Sequence, residues 1–167
     1  MIFMAEITGM YIAIQNRLIE EHKVILCDGM IDGCQCKYHR RSAHRCAYHK
    51  GDRNRKIRNW KQENTVKSTF ILLHEIGHLQ KHYEYRVEDE YRATEWALHK
   101  CRELHIHPDR DMITDKQIAI TRLYDEYASK FHGFDLFGIE KPEWLKDREF
   151  YSIVRLYDQI FGGVKVN

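Results

Sequence analysis

His74, Glu75 and His78 have the types and the spacing to hold a metal ion and to use it. At about 100° per residue, positions 74 and 78 lie roughly 40° apart around a helix and one turn apart along it, so both imidazoles reach the same point. Glu75 falls on the adjoining flank, where its carboxylate can take a proton from a water polarised by that ion. The chemistry this pattern suggests is hydrolysis by a zinc-activated water. An H-E-x-x-H string also arises by chance in a chain with 11 histidines, so its surroundings matter. Ser68 to Leu73 is an apolar run that continues through Ile76 and Leu79, the pattern of a helix buried on most sides. Two histidines and a glutamate on such a helix need polar partners, and a metal supplies them.

A catalytic zinc ordinarily takes three protein ligands and keeps one position open, so a third ligand is expected elsewhere. The next helical stretch offers Glu88, Glu90 and Glu95. Glu90 shares a stripe with Ala93, Ala97, Cys101 and Leu104, the small and apolar face that a packed helix turns inward. Glu88 and Glu95 lie roughly 160° and 140° away from it. Glu90 is therefore the expected third ligand. His82 extends the series His74, His78, but it stands roughly 12 Å along the axis from His74 and is read as solvated or supporting.

These residues need elements to hold them. Phe3, Ile7, Met10, Ile14 and Leu18 predict an amphipathic helix over 1–22. Val24 to Cys27 reads as a short strand, and Asp28-Gly29 and Asp32-Gly33 as turns, with Arg45 to His49 a second strand candidate in a small sheet over 23–52. The motif helix is expected to begin near Asn64 or Thr65 and end near Lys81. A second helix follows from Glu88 to Leu104, and the two form a zinc-binding pair over 64–104. Thr114 with Gln117 resembles a capping box opening a third helix, which Gly133 stops. A fourth starts at Pro142 and carries Phe150, Val154, Tyr157 and Phe161 to Gly162-Gly163, completing C-terminal helices over 114–162. The fold class is α+β, a mostly helical single domain with a small N-terminal sheet beside the motif helix.

His74 to His78 followed by Glu90-Tyr91-Arg92-Ala93-Thr94-Glu95-Trp96-Ala97 resembles the ImmA/IrrE family of small metallopeptidases. That family pairs an HE-small-GH helix with an E-x-x-A-x-x-W/F-A helix. The resemblance covers residues 65 to 100 and implies a zincin-like fold of gluzincin type. It implies that His74, His78 and Glu90 hold Zn2+, that Glu75 is the general base, and that Ala93, Trp96 and Ala97 pack the second helix on the first. It also implies cleavage of a partner regulatory protein, such as a helix-turn-helix repressor, in a phage, mobile-element or stress-response setting. Many relatives carry a helix-turn-helix module, which finds no room before residue 65, so the repressor is expected to be a separate protein. Where relatives run into an aliphatic-Pro segment, this chain has Cys101 to Pro108.

In the implied mechanism, Glu75 takes the proton of the attacking water and hands it to the leaving amine. Oxyanion help comes from one of Tyr83, Tyr85, Tyr91 or His105, with no sequence signal choosing among them. The strand around Cys46 to Lys50 is a candidate for edge pairing with an extended substrate.

Composition bounds the rest. The 167 residues suit one domain, and a formal charge of +2 gives no global argument for nucleic acid or membrane. No run reaches the length of a membrane span and the start lacks a signal-peptide pattern, so a cytoplasmic location is expected. Five cysteines, an odd number, suggest free thiols. Cys34, Cys36, His39, Cys46 and His49 could nevertheless form a second, structural zinc site, although their spacing is not a standard finger. From Lys37 to Lys61, ten Lys/Arg stand against one acid, Asp52. An alternative function is therefore a nucleic-acid- or partner-binding regulator that uses this basic segment, with the metal site structural.

Overall fold

The computed structural model describes residues 9–27, 43–44, 56–58, 60–81, 83, 85–131 and 148–162. It is mostly helical with one small sheet. The elements run α1 (Met10–Glu21), β1 (Ile25–Cys27), β2 (Ala43–His44), β3 (Lys56–Arg58), α2 (Val66–Gln80), α3 (Arg86–Glu103), α4 (Arg110–Phe131), a 3-10 turn (Arg148–Tyr151) and α5 (Ile153–Phe161). No helix among the described residues is long and apolar enough to cross a membrane.

Helix α2 is the centre of the core. Thr65 caps it in extended conformation, its Oγ1 accepting from Ser68 N at 3.1 Å. Phe70, Leu72, Leu73, Ile76 and Leu79 are buried over about half of its circumference, and the buried Ser68, Thr69, His74 and Gly77 widen that face, so most of the helix is covered. It packs chiefly on α3, with α1 and β2 against its other sides, while α4 and α5 cover α3. On α3 the small stripe holds: Ala93, Ala97 and Cys101 are buried.

Helices α1 and α3 both end without glycine. Lys23 (φ 51°) and His105 (φ 55°) take the left-handed position instead. Val24 N–H then reaches Ile19 O at 2.9 Å, and Ile106 N–H reaches Cys101 O at 2.8 Å, the Schellman closure in both cases. The buried Val24 and Ile106 side chains follow directly, which gives the packing that holds a non-glycine residue in this conformation.

Several expectations need correction. On α1, Met10 is 46% exposed, and Gln15 is fully buried instead. Burial of its amide is possible because Gln15 Nε2 donates to Glu63 O and to Thr69 Oγ1, both at 2.8 Å. Residues 1–8 and the strand candidate Arg45 to His49 lie outside the described residues. The sheet is three-stranded in the order β1-β3-β2, with β3 parallel to β1 (Leu26 opposite Ile57) and antiparallel to β2 (Ala43 opposite Ile57). Its central strand therefore lies beyond residue 52. Lys-Ile-Arg has only one apolar residue, Ile57, to mark it as a strand, too little for a periodic signal.

The Thr114–Gln117 capping box does not form. Helix α4 already begins at Arg110, and Thr114 Oγ1 donates back to Arg110 O at 3.0 Å from inside it. Gln117 serves another helix: its Oε1 accepts from Ile153 N at 2.6 Å and Val154 N at 3.2 Å, at the start of α5. A tertiary contact has taken the residue that the local motif would use. Gly133 and Pro142 lie outside the described residues. The final helix starts at Ile153, where Ser152 Oγ accepts from Arg155 N at 3.2 Å, and Phe150 precedes it, 44% exposed.

Candidate metal centre

Helices α2 and α3 approach closely enough for backbone to touch the position of a side chain. A Cβ on Gly77 would stand 2.6 Å from Ala93 O and 2.9 Å from Ala93 Cα. Only glycine permits this contact, and it draws Glu90, one turn before Ala93, against the histidines of α2. His74 Nε2 lies 3.1 Å from Glu90 Oε2 and 3.1 Å from His78 Nε2, with His78 Nε2 3.6 Å from Glu90 Oε2. His74, His78 and Glu90 thus form a group that could hold a metal ion, one donor atom from each and all within 4.8 Å of one another. Glu88 and Glu95 turn away to Arg92, at 3.9 Å and 3.0 Å.

The far side of each imidazole fixes its tautomer. His78 Nδ1 is 3.0 Å from Asp89 Oδ2, a pure acceptor when ionised, so Nδ1 carries the hydrogen. Thr94 Oγ1 donates to Glu90 O at 2.9 Å, which leaves it to accept from His74 Nδ1 at 3.1 Å. Neutral rings held this way present two Nε2 lone pairs and a carboxylate oxygen to one point. Three such donors stand this close only where positive charge lies among them, either a proton on His78 or a cation in its place, and with that proton released the set fits a divalent ion such as zinc.

The charges follow the same logic. Burial pushes the His74 pKa down to about 4 in spite of the Glu90 hydrogen bond. Burial also acts to lower His78, but the hydrogen bonds to Asp89 and Glu90 outweigh it and hold its pKa up at about 9. For Glu90, burial acts to raise the pKa and the hydrogen bonds from both imidazoles override it, holding the carboxyl well below its usual range. The pocket accordingly keeps Glu90 ionised and draws one positive charge onto His78. Burial raises Glu75 to about 7, and its Oε2 is buried with no hydrogen-bond partner among the described residues. An unpartnered carboxylate oxygen on the flank of the donor set has the placement of a base awaiting a water or substrate.

Asp89 and Thr94 escaped the sequence reading. Asp89 lies about 100° from Glu90 on α3, off the inward stripe. It reaches α2 because the helices touch at Gly77 and Ala93, which brings a flanking residue into range. The signal was available as an acidic residue adjacent to the ligand, but choosing a single face discards it. Replacing Asp89 with Ala is expected to weaken metal affinity by about 10–100-fold with helicity unchanged. Competition against a chromophoric chelator measures this, and equal affinity would mean that Asp89 does not hold the His78 ring.

No hydrogen bond ties any of the four oxyanion candidates to the donor set. Tyr83 lies beneath the Lys81 ammonium at 5.2 Å, Tyr85 packs edge-on against Tyr127, Tyr91 is buried against Tyr151, and His105 is exposed at the end of α3. A cleft of about 410 Å³ beside Gly77, Tyr83, Arg92 and Trp96 contains none of the three donor residues in its lining. His82, the Cys34/Cys36/His39/Cys46/His49 cluster, the Cys46 to Lys50 strand and most of the basic segment 37–61 lie outside the described residues. No family model, curated protein or solved structure matches this chain.

Proposed function

We propose that this protein is a zinc-dependent endopeptidase of the ImmA/IrrE type, with a zincin-like arrangement of its helix pair, which cleaves a partner regulatory protein such as a helix-turn-helix repressor. One observation carries the reading: His74 Nε2, His78 Nε2 and Glu90 Oε2 converge, and Glu75, next to His74 in the chain, has a buried Oε2 with no hydrogen-bond partner among the described residues. A purely structural metal site would gain nothing from an unpartnered carboxylate at its flank, because burying it costs stability.

Bound zinc would act as a Lewis acid on water and on a peptide carbonyl. The chain's own residues do the rest. Asp89 and Thr94 keep both Nδ1 atoms protonated and both rings aimed. Glu75 accepts the proton of the attacking water, holds it while the tetrahedral carbon forms, and gives it to the departing amide nitrogen.

Metal analysis tests the first half of this reading. The purified protein is expected to hold one zinc per chain, and His74→Ala, His78→Ala and Glu90→Ala each to lose it. Chelation should lower the melting temperature, since at free zinc a thousandfold above Kd the ion stabilises by about 4 kcal/mol. Incubating the zinc form with helix-turn-helix repressors encoded nearby tests the second half. Intact repressors after prolonged incubation with zinc-loaded protein would sink the proposed substrate.

A further inference from the structure

Helix α4 turns Ile113, Ile120 and Tyr124 into the core. Half-buried Lys116 and Gln117 flank that stripe on opposite sides, roughly 60° and 40° from Ile113. Gln117 is committed to the start of α5. Lys116 lies on the other side and makes no hydrogen bond or ion pair with any described residue.

The packing sets the height of Lys116. Helix α4 follows α3 after residues 104–109, and its Tyr127 meets Tyr85 at the start of α3, ring centroids 6.3 Å apart, so the helices run antiparallel. Going back along α4 from Tyr127 to Lys116, and forward along α3 from Tyr85 by as many residues, arrives at Trp96. That is the level of Thr94, which touches His74 Nδ1 at 3.1 Å. In agreement, the Lys116 charge acts on both His74 and Glu75, and no other lysine or arginine among the described residues ranks with it there.

We propose that Lys116 donates the hydrogen bond that receives the oxyanion when a peptide carbonyl is attacked at this centre. The inference rests on the peptidase reading above. As the water oxygen bonds to the carbonyl carbon, the C=O electron pair moves onto oxygen and the water's proton passes to Glu75. When the C–N bond breaks, its pair leaves on nitrogen, which takes that proton, and the oxyanion returns to a carbonyl. Glu90, held ionised by both imidazoles, cannot donate to a developing anion, Asp89 accepts from His78 Nδ1, and Glu75 is occupied with the water's proton. A lysine on a flexible four-carbon stem carries both the charge and the donors.

Lys116→Met preserves the stem and removes the ammonium. In zinc-loaded protein, on any repressor that the wild type cleaves, kcat is expected to fall by about 10²–10³-fold with KM within a few-fold and one zinc per chain retained. Lys116→Arg should recover part of the rate. Calorimetry with inorganic phosphate, a tetrahedral anion, provides a readout independent of turnover, and binding should weaken at least about tenfold in Lys116→Met. Equal kcat and equal phosphate affinity in the two proteins would overturn the assignment. So would a loss confined to KM for acidic substrates, which would make Lys116 a specificity residue. A wild type that binds zinc and phosphate but cuts nothing counts against the peptidase reading alone, and the phosphate comparison still decides whether Lys116 meets an anion there.

Discussion

Glu75→Gln is expected to keep the metal and abolish turnover. The amide occupies the same volume and lies outside the donor set of His74, His78 and Glu90, so zinc stoichiometry should not change. It can neither accept the water's proton nor return one, and losing a positioned acid-base group removes about 10²–10⁴-fold in rate. Single-turnover cleavage by zinc-loaded protein measures this, and wild-type rates in the variant would eliminate Glu75 as the base.

The same substitution has a second signature in metal-free protein. Burial raises the Glu75 pKa from 4.5 to about 7, so between those values the folded chain holds a proton that the unfolded chain has released. The contribution of this residue to stability is therefore fully present below about pH 4.5 and is lost as pH rises through about 7. Glutamine carries no such loss. The metal-free variant should melt above the wild type at pH 8 and lose that advantage near pH 4.

Gly77→Ala is the substitution expected to damage both fold and site. The new methyl would lie 2.6 Å from Ala93 O and 2.9 Å from Ala93 Cα, and backbone atoms cannot rotate away. The helices must separate, at a cost of about 1–3 kcal/mol or more for overpacking. Separation also carries Glu90 and Asp89 away from the imidazoles, and a displacement of about 1 Å is enough to reduce activity by about 10²-fold. A lower melting temperature together with weakened zinc binding is the expected pair of results. An unchanged melting temperature would show that the close approach is not rigid.

The site residues that periodicity could reach were those on the α2 and α3 faces. His74 and His78 follow from a one-turn spacing and Glu90 from a stripe of small residues, and the structure brings all three together. The limits of α2 were legible because Thr65 is a local cap and Lys81 ends an apolar run. What stayed hidden depends on contacts between distant parts of the chain. Asp89 is on the wrong face by angle and comes into range only because Gly77 lacks a side chain. Gln117 looks like part of a cap for its own helix and instead caps one 36 residues away. The ends of α1 and α3 carry lysine and histidine where the usual signal is glycine, so packing of Val24 and Ile106 decides them. The central strand has one apolar residue and is specified by its neighbours.

All the donor and supporting residues lie on α2 and α3, joined through residues 81–85. Contacts so close in sequence require little loop-closure entropy, and a helical hairpin of this kind can form before the sheet, whose strands come from residues 25 to 58. The metal pocket would then belong to the folding nucleus, where a bound ion lowers the folding barrier rather than only slowing escape from the native state. On the proposed metal-binding reading, supply of the ion would then govern how fast new chains mature as well as how long they last.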